Sequence, residues 1–160
     1  MTTTTRSLDG TWQFRCATFR GKAPRRLGLD RWMPAAMPGT IHFQLQKLRT
    51  IADPHIGRNE LDVQWIDEQD WELRRTVRAT AGDCARARQQ LVFEGIDTVA
   101  TIRVNGRVVG RSVNMFRQVV CDVAGALKPG ANEIRILLAS PTRFSAAQAE
   151  RGNHRVDDPV

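Results

Sequence analysis

"TVATIRVNGRVVGRS", residues 98–112, decides how the chain folds. On both sides of Asn105-Gly106, apolar and polar residues alternate over the length of a strand, the period expected when one face of a strand lies on a core. Asn-Gly between two such runs is the strongest short-range signal for a two-residue hairpin, because both central residues of that turn need positive φ. The stretch therefore predicts two antiparallel strands. From Trp71 onward the rest of the chain repeats the pattern, in "WELRRTVRA", "QQLVFEGI", "MFRQVVCDV" and "NEIRILLAS". In "LKPGAN", Pro129-Gly130 sits where a type I or II turn wants it. Six strands at turn spacing predict an all-β sandwich with antiparallel neighbours.

Before Trp71 the periodicity is less regular. "GTWQFRCA" predicts a first strand and "RWMPAAMPG" an extended piece bounded by prolines. Thr40 is placed to N-cap a helix over "IHFQLQKLR", in which Ile41, Leu45 and Leu48 share one face, so this helix is expected to cover an end or edge of the sandwich. "TIADPHIGRNE" reads as a loop marked by Pro and Gly. In "NELDVQWIDEQ", Asn59 is expected to cap a short helix carrying Leu61 and Trp65 at i, i+4. "GDCARARQ" predicts an exposed loop. A chain of 160 residues buries about 70% of its unfolded surface in one core and leaves little room for a second, so residues 1–160 read as a single domain.

Composition excludes several function classes. No apolar stretch approaches the roughly 20 residues that span a bilayer, so no membrane partner is expected. The start, "MTTTTRSLDGTWQF", lacks the basic and apolar regions of a secretory signal. A cytoplasmic location is expected, with the periplasm or secretion left open if the true N-terminus lies upstream. Cys16, Cys84 and Cys121 are far apart with no CxxC and no histidine at ligand spacing, which predicts buried free thiols and no metal site. The histidines are scattered too, and His42, inside the expected helix, reads as structural. The net charge of +7 comes almost entirely from arginines spread along the chain, with Lys22, Lys47 and Lys128 the only lysines. Phosphate binding needs a clustered basic patch, so no nucleic-acid partner is expected.

The densest chemistry lies at residues 57–71, "GRNELDVQWIDEQDW". Acid-base cleavage of a glycosidic bond needs two carboxyls held roughly 5 to 10 Å apart across a pocket. Asp62, Asp67, Glu68, Asp70 and Glu72 supply carboxyls, but their spacing aims no two of them at one cavity, and the expected arrangement is a solvated face. No Gly-x-Ser-x-Gly elbow and no glycine-rich phosphate loop is present. No catalytic residue and no cofactor is therefore expected in this chain. Tryptophan differs, since its flat ring stacks on the apolar face of a sugar while neighbouring carboxylate, amide and guanidinium groups take the hydroxyls. Trp65 and Trp71 have such neighbours, yet Trp71 opens an alternating strand and is expected in the core, and Trp65 in the core or an interface.

The succession "LDGTWQF", "MPGTIHFQL", "DPHIGRNELDVQWIDEQDWELRRT", "LVFEGIDTVATIRVNG" and "ANEIRILLASP" closely resembles the N-terminal part of β-mannosidases of glycoside hydrolase family 2, over residues 8–141. "EGIDTVATIRVNG" resembles the sugar-binding-type jelly roll of the family as a whole. The Asp-Pro-x-x-Gly-x-Asn-Glu run at residues 53–60 with "QWIDEQDW" resembles the mannosidase branch. The resemblance implies a galactose-binding-domain-like jelly-roll β-sandwich with one or two short covering helices. It also implies a parent enzyme that releases terminal non-reducing β-D-mannose with retention, using two glutamates on a separate (β/α)8 barrel. The barrel's acid/base glutamate follows an asparagine, as Glu60 follows Asn59 and Glu133 follows Asn132, but both pairs lie in the jelly-roll region and the role does not carry over.

Family members continue beyond the matching region into the last jelly-roll strands, an immunoglobulin-like domain and the barrel. The chain is accordingly expected to be a fragment whose final strands lie outside residues 1–160, and in isolation to self-associate or leave its C-terminal tail disordered. The resemblance makes residues 53–70 the candidate for contact with the barrel or for the rim of its pocket, with Arg58, Asn59, Glu60 and Trp65 as rim or interface residues. The expected partners are then the parent's own barrel and β-mannosides or manno-oligosaccharides. A free-standing carbohydrate-binding module and a docking domain without sugar contact are the alternatives.

Overall fold

The computed structural model describes residues 3–21, 23, 24 and 27–153, the last two for their backbone alone. The sequence 98–112 forms the expected hairpin: β5 (Val99–Val104) and β6 (Arg107–Ser112) pair antiparallel around Asn105 and Gly106, whose φ values of 50° and 83° are the left-handed pair that the turn requires. The register shifts between Ile102 and Arg103, so β6 carries a bulge near Val109.

The other strands are β1 (Gly10–Thr18), β2 (Met33–Met37), β3 (Asp70–Ala79), β4 (Gln90–Phe93), β7 (Val119–Asp122) and β8 (Gly130–Ala139). Six form one antiparallel sheet in the order β2-β1-β3-β8-β5-β6, and β4 pairs with β7 in a second sheet. The fold is the expected all-β sandwich of antiparallel strands. Alternation decides what faces inward. Trp12, Phe14 and Cys16 from β1, Trp71 and Leu73 from β3, Ile134 and Ile136 from β8, and Ala100, Ile102 and Val104 from β5 are all buried in one core. Leu91 and Cys121 close it from the small sheet, while Leu29, Leu45, Val63, Trp65 and Ile66 close it from connecting segments.

Helix α1 (Ile41–Lys47) forms as expected, with the Thr40 hydroxyl accepting from the Phe43 N–H at 3.1 Å. Its inward face is Leu45 and Gln44. Leu48 is the C-cap and is 38% exposed, because the helix ends one residue before it. The fully buried Gln44 amide accepts from Ala36 N–H at 2.9 Å and donates to Ala36 C=O at 2.8 Å. The proline-bounded "extended piece" is thus an edge strand, β2, whose outward N–H and C=O at Ala36 are paired by a side chain.

Two local expectations change. Asn59 does not cap: it is the first residue of α2 (Asn59–Val63), the cap position is Arg58, and no side chain caps the helix. Leu61 and Trp65 do not share a buried face, because α2 gives way at Gln64–Ile66 to a 3₁₀ turn with tighter periodicity; Leu61 is 49% exposed and Trp65 is 9% exposed. The "GDCARARQ" loop begins with a helical turn, α3 (Ala81–Cys84), built by a capping box between Thr80 and Asp83. A fourth helix, α4 (Pro141–Asn153), follows β8. The expected disorder of the C-terminal tail concerns residues that lie largely outside those described.

Candidate functional site

The segment 53–70 wraps one end of the sandwich. Its loop is closed on itself: Asp53 Oδ1 accepts from the His55 N–H at 2.9 Å, and the Asn59 side-chain amide donates to the Asp53 carbonyl at 2.8 Å. Asn59 acts as the staple of that loop. Beyond α2, Trp65 packs on Trp71 with ring centroids 6.4 Å apart, and Trp71 packs on Phe14 at 5.9 Å, which puts both tryptophans in a buried aromatic row. The indole N–H of Trp71 is satisfied by the Ile66 carbonyl at 3.0 Å.

The fully buried Gln69 ties this turn to the neighbouring loop: its amide nitrogen donates to Trp65 and Arg20 carbonyls at 2.7 and 3.0 Å, and its oxygen accepts from the Arg20 N–H at 2.7 Å. Asp70 ties it to the start of α4. Its carboxylate accepts from the Ser140 N–H at 2.8 Å, from the Thr18 hydroxyl at 3.1 Å and from Arg143. Ser140 in turn donates to the Asp67 carbonyl at 2.6 Å and accepts from the Arg143 N–H at 3.1 Å, capping α4. Burial raises the Asp70 carboxyl, but the Arg143 hydrogen bond and charge, the Ser140 N–H and the Thr18 hydroxyl outweigh it and hold its pKa below the usual carboxylate value. That shift is opposite to the one a proton-donating acid needs. Glu72 lies on the outer face of β3, where it pairs with Arg15 at 2.6 Å and more loosely with Arg135 at 3.8 Å. That face is closed by Trp32, over whose ring Arg15, Arg74 and Arg135 stand at 4.6, 4.0 and 5.8 Å.

Of the four residues singled out in the sequence, Asn59 and Trp65 meet at a shallow cleft of about 280 Å³ that Leu27, Ile51, Asp62 and Val63 also line. Trp65 offers little ring to it, since nine-tenths of the residue is buried. Arg58 and Glu60 are exposed, and among the described residues no hydrogen bond or ion pair holds either side chain. Asn132, of the second Asn-Glu pair, is fully buried and organises the turn before β8 through Lys128, Gly130 and Asn105, while Glu133 pairs with Arg135 at 2.9 Å. All three cysteines are free, but only Cys16 and Cys121 are buried, since Cys84 ends the surface turn α3 and is half-buried; burial pushes the Cys16 pKa up to about 11 and raises that of Cys121 too, so neither of these is a ready nucleophile. Among the described residues, no group of three His, Cys, Asp or Glu side chains is placed to hold a metal ion, and no helix is long and apolar enough to cross a membrane.

The family model described as glycosyl hydrolase 2 galactose-binding domain-like matches residues 12–159. The chain belongs to that family. Within this glycosyl hydrolase 2 family it is 34% identical to a β-mannosidase of Bos taurus over 74% of its length, and 37% identical to β-mannosidase B of Thermothelomyces thermophilus over 83%. It spans 13% and 15%, respectively, of those two relatives. The crystal structure of β-D-mannosidase from Dictyoglomus thermophilum superposes with a TM-score of 0.79 at 31% identity, covering 96% of this chain and 17% of that one. A β-glucuronidase from Ruminococcus gnavus shares the fold at 19% identity, with a TM-score of 0.59 over 84% of this chain and 22% of its own. The Gln69 and Asp70–Ser140–Arg143 bonds, which hold the segment in place, were not singled out in the sequence; Ser140 before Pro141 is the signal that marks the α4 start.

Proposed function

We propose that this chain is the N-terminal accessory domain of a β-mannosidase, a retaining glycoside hydrolase that releases terminal non-reducing β-D-mannose from oligosaccharides. The observation that carries this reading is the similarity to three β-mannosidases at 31–37% identity, across 74–96% of the chain but only 13–17% of each relative. On this reading the immunoglobulin-like and barrel domains belong to the parent outside residues 1–160, the barrel bears both catalytic glutamates, and the enzyme works in the cytoplasm. The domain supports the barrel, and the exposed Arg58 and Glu60, with Asn59 and Trp65 behind them, form its contact with the barrel or the pocket rim.

Hydrolysis of a chromogenic β-mannoside by the full-length parent and by this chain, side by side, tests the reading. An active parent and a silent chain are expected; activity in the purified chain would place the catalytic carboxylates here and overturn it. In the active parent, Glu60→Ala is expected to raise KM if the segment forms the rim, and kinetics unchanged by both Glu60→Ala and Asn59→Ala would leave only the barrel-contact version. The galactose-binding character of the fold favours one other reading, a free-standing carbohydrate-binding module. It requires measurable affinity of the chain itself for mannose or mannan, which the accessory-domain reading does not.

A further inference from the structure

The outer side of the small sheet carries apolar groups that the core does not use. Val92 and Val120 are cross-strand partners on β4 and β7, and they are 46% and 48% exposed. The β6–β7 connection adds Val113, Met115 and Phe116, exposed by 63%, 41% and 88%. This connection is built rather than slack. The Ser112 hydroxyl donates to the Asn114 carbonyl at 3.2 Å, the Asn114 side chain accepts from the Phe116 N–H at 2.9 Å, and Gln118 donates to Glu94 at 2.9 Å. A Cβ on Gly95 would stand 3.0 Å from the Met115 carbonyl oxygen, so the loop lies directly against the chain leaving β4. An aromatic ring is therefore held out in water on an ordered loop beside an aliphatic sheet face. Ordered exposed apolar groups of this kind mark contact surfaces.

The chemistry favours protein over sugar as the occupant. Four of the five side chains, Val92, Val120, Val113 and Met115, have no flat face and no polar atom for a hydroxyl, so only the Phe116 ring could stack on a sugar, and the nearby Gln118 amide is bonded to Glu94. Topology then selects which protein. Ala100 pairs with both Ser112 and Leu138, and Val99 pairs with Ala139, so the end of β6, the start of β5 and the end of β8 meet at one end of the sandwich. Ser140 fastens the start of α4 there, through Asp67 and Asp70. β8 thus hands over to α4 at the same end of the sandwich at which β6 hands over to the loop that carries Phe116. In the D. thermophilum β-mannosidase 83% of the chain lies outside the matched part, ample polypeptide to cover such a patch.

We infer that Phe116, with Val113, Met115, Val92 and Val120, is a docking surface for the remainder of the parent polypeptide, an apolar protein face that follows this domain in the same chain. The inference rests on the accessory-domain reading. It adds a second contact to the segment 53–70, with Phe116 as the anchor.

Hydroxyl-radical labelling of Phe116 and Met115, read by mass spectrometry, tests it in the full-length parent and in this chain at a dilution where light scattering shows a monomer. Strong labelling in the monomeric chain and about tenfold less in the parent is expected for side chains sealed from water. Equal labelling in the two overturns the inference. Protection in the parent that vanishes when its subunits are dissociated overturns it in favour of a second copy, and protection of the isolated chain by manno-oligosaccharide overturns it in favour of sugar. Hydrolysis of a β-mannoside by the same parent sample reports on the proposed activity separately, so an active parent with a labelled Phe116 removes the docking surface and leaves the function standing.

Discussion

Asp70 is the residue on which the end of the sandwich turns. It stands first in β3, yet its carboxylate holds the start of α4 through Ser140 and Arg143 and the end of β1 through Thr18. Asp70→Asn keeps the size but removes the charge, leaving the partly exposed Arg143 guanidinium without its counter-ion. The expected cost is about 1–3 kcal/mol at neutral pH, measured by urea unfolding. The sign of the pH dependence follows from the lowered pKa: the contribution is complete above the ordinary value of 3.8 and is lost as pH falls below it through the depressed folded value. The wild type and Asp70→Asn should therefore differ at pH 7 and converge in strong acid. Equal stability at pH 7 would show that the cluster forms without contributing.

At the scale of elements, the sequence announced what is local and hid what is not. The Asn105-Gly106 hairpin and the Thr40 cap were legible because each is settled by a few consecutive residues. The position of β8 between β3 and β5 was not, since alternation says which face is buried and nothing of which strand is the neighbour. Asn59 misled for a related reason: the same amide serves a helix cap or a loop carbonyl, and only the return of the chain to Asp53 chooses. Gly110 is a further non-local case. It reads as an interruption of a strand, but it is where β7 comes down on β6, and a Cβ there would stand 2.3 Å from the Cys121 sulfur. Gly110→Ala should cost about 1–3 kcal/mol by overpacking. Adding Cys121→Ala frees that space, so the double variant should be more stable than the sum of the two single losses predicts, by about 0.5–3 kcal/mol. Strict additivity would mean that the sheets separate freely at this point.

For the whole molecule, the uneven sandwich decides how the chain behaves alone. The six-stranded sheet protects its β2 edge, since Gln44 occupies both outward backbone groups of Ala36. The small sheet has no such device: β4 and β7 pair only with each other among the described residues, and each keeps one edge that no strand or side-chain amide covers. An open edge is a template for another strand, and the nearby exposed valines add apolar area to any pairing. The isolated chain should therefore associate, with sedimentation velocity showing mass that rises with concentration. Amide exchange places the contact, because association through these edges should slow β4 and β7 with increasing concentration and leave the central β3 and β8, already paired on both sides, unchanged. A monomer at every concentration, with β4 and β7 exchanging at one fixed rate, would mean that two short strands are sufficient cover for this face, and that nothing in the isolated domain drives it toward a further strand.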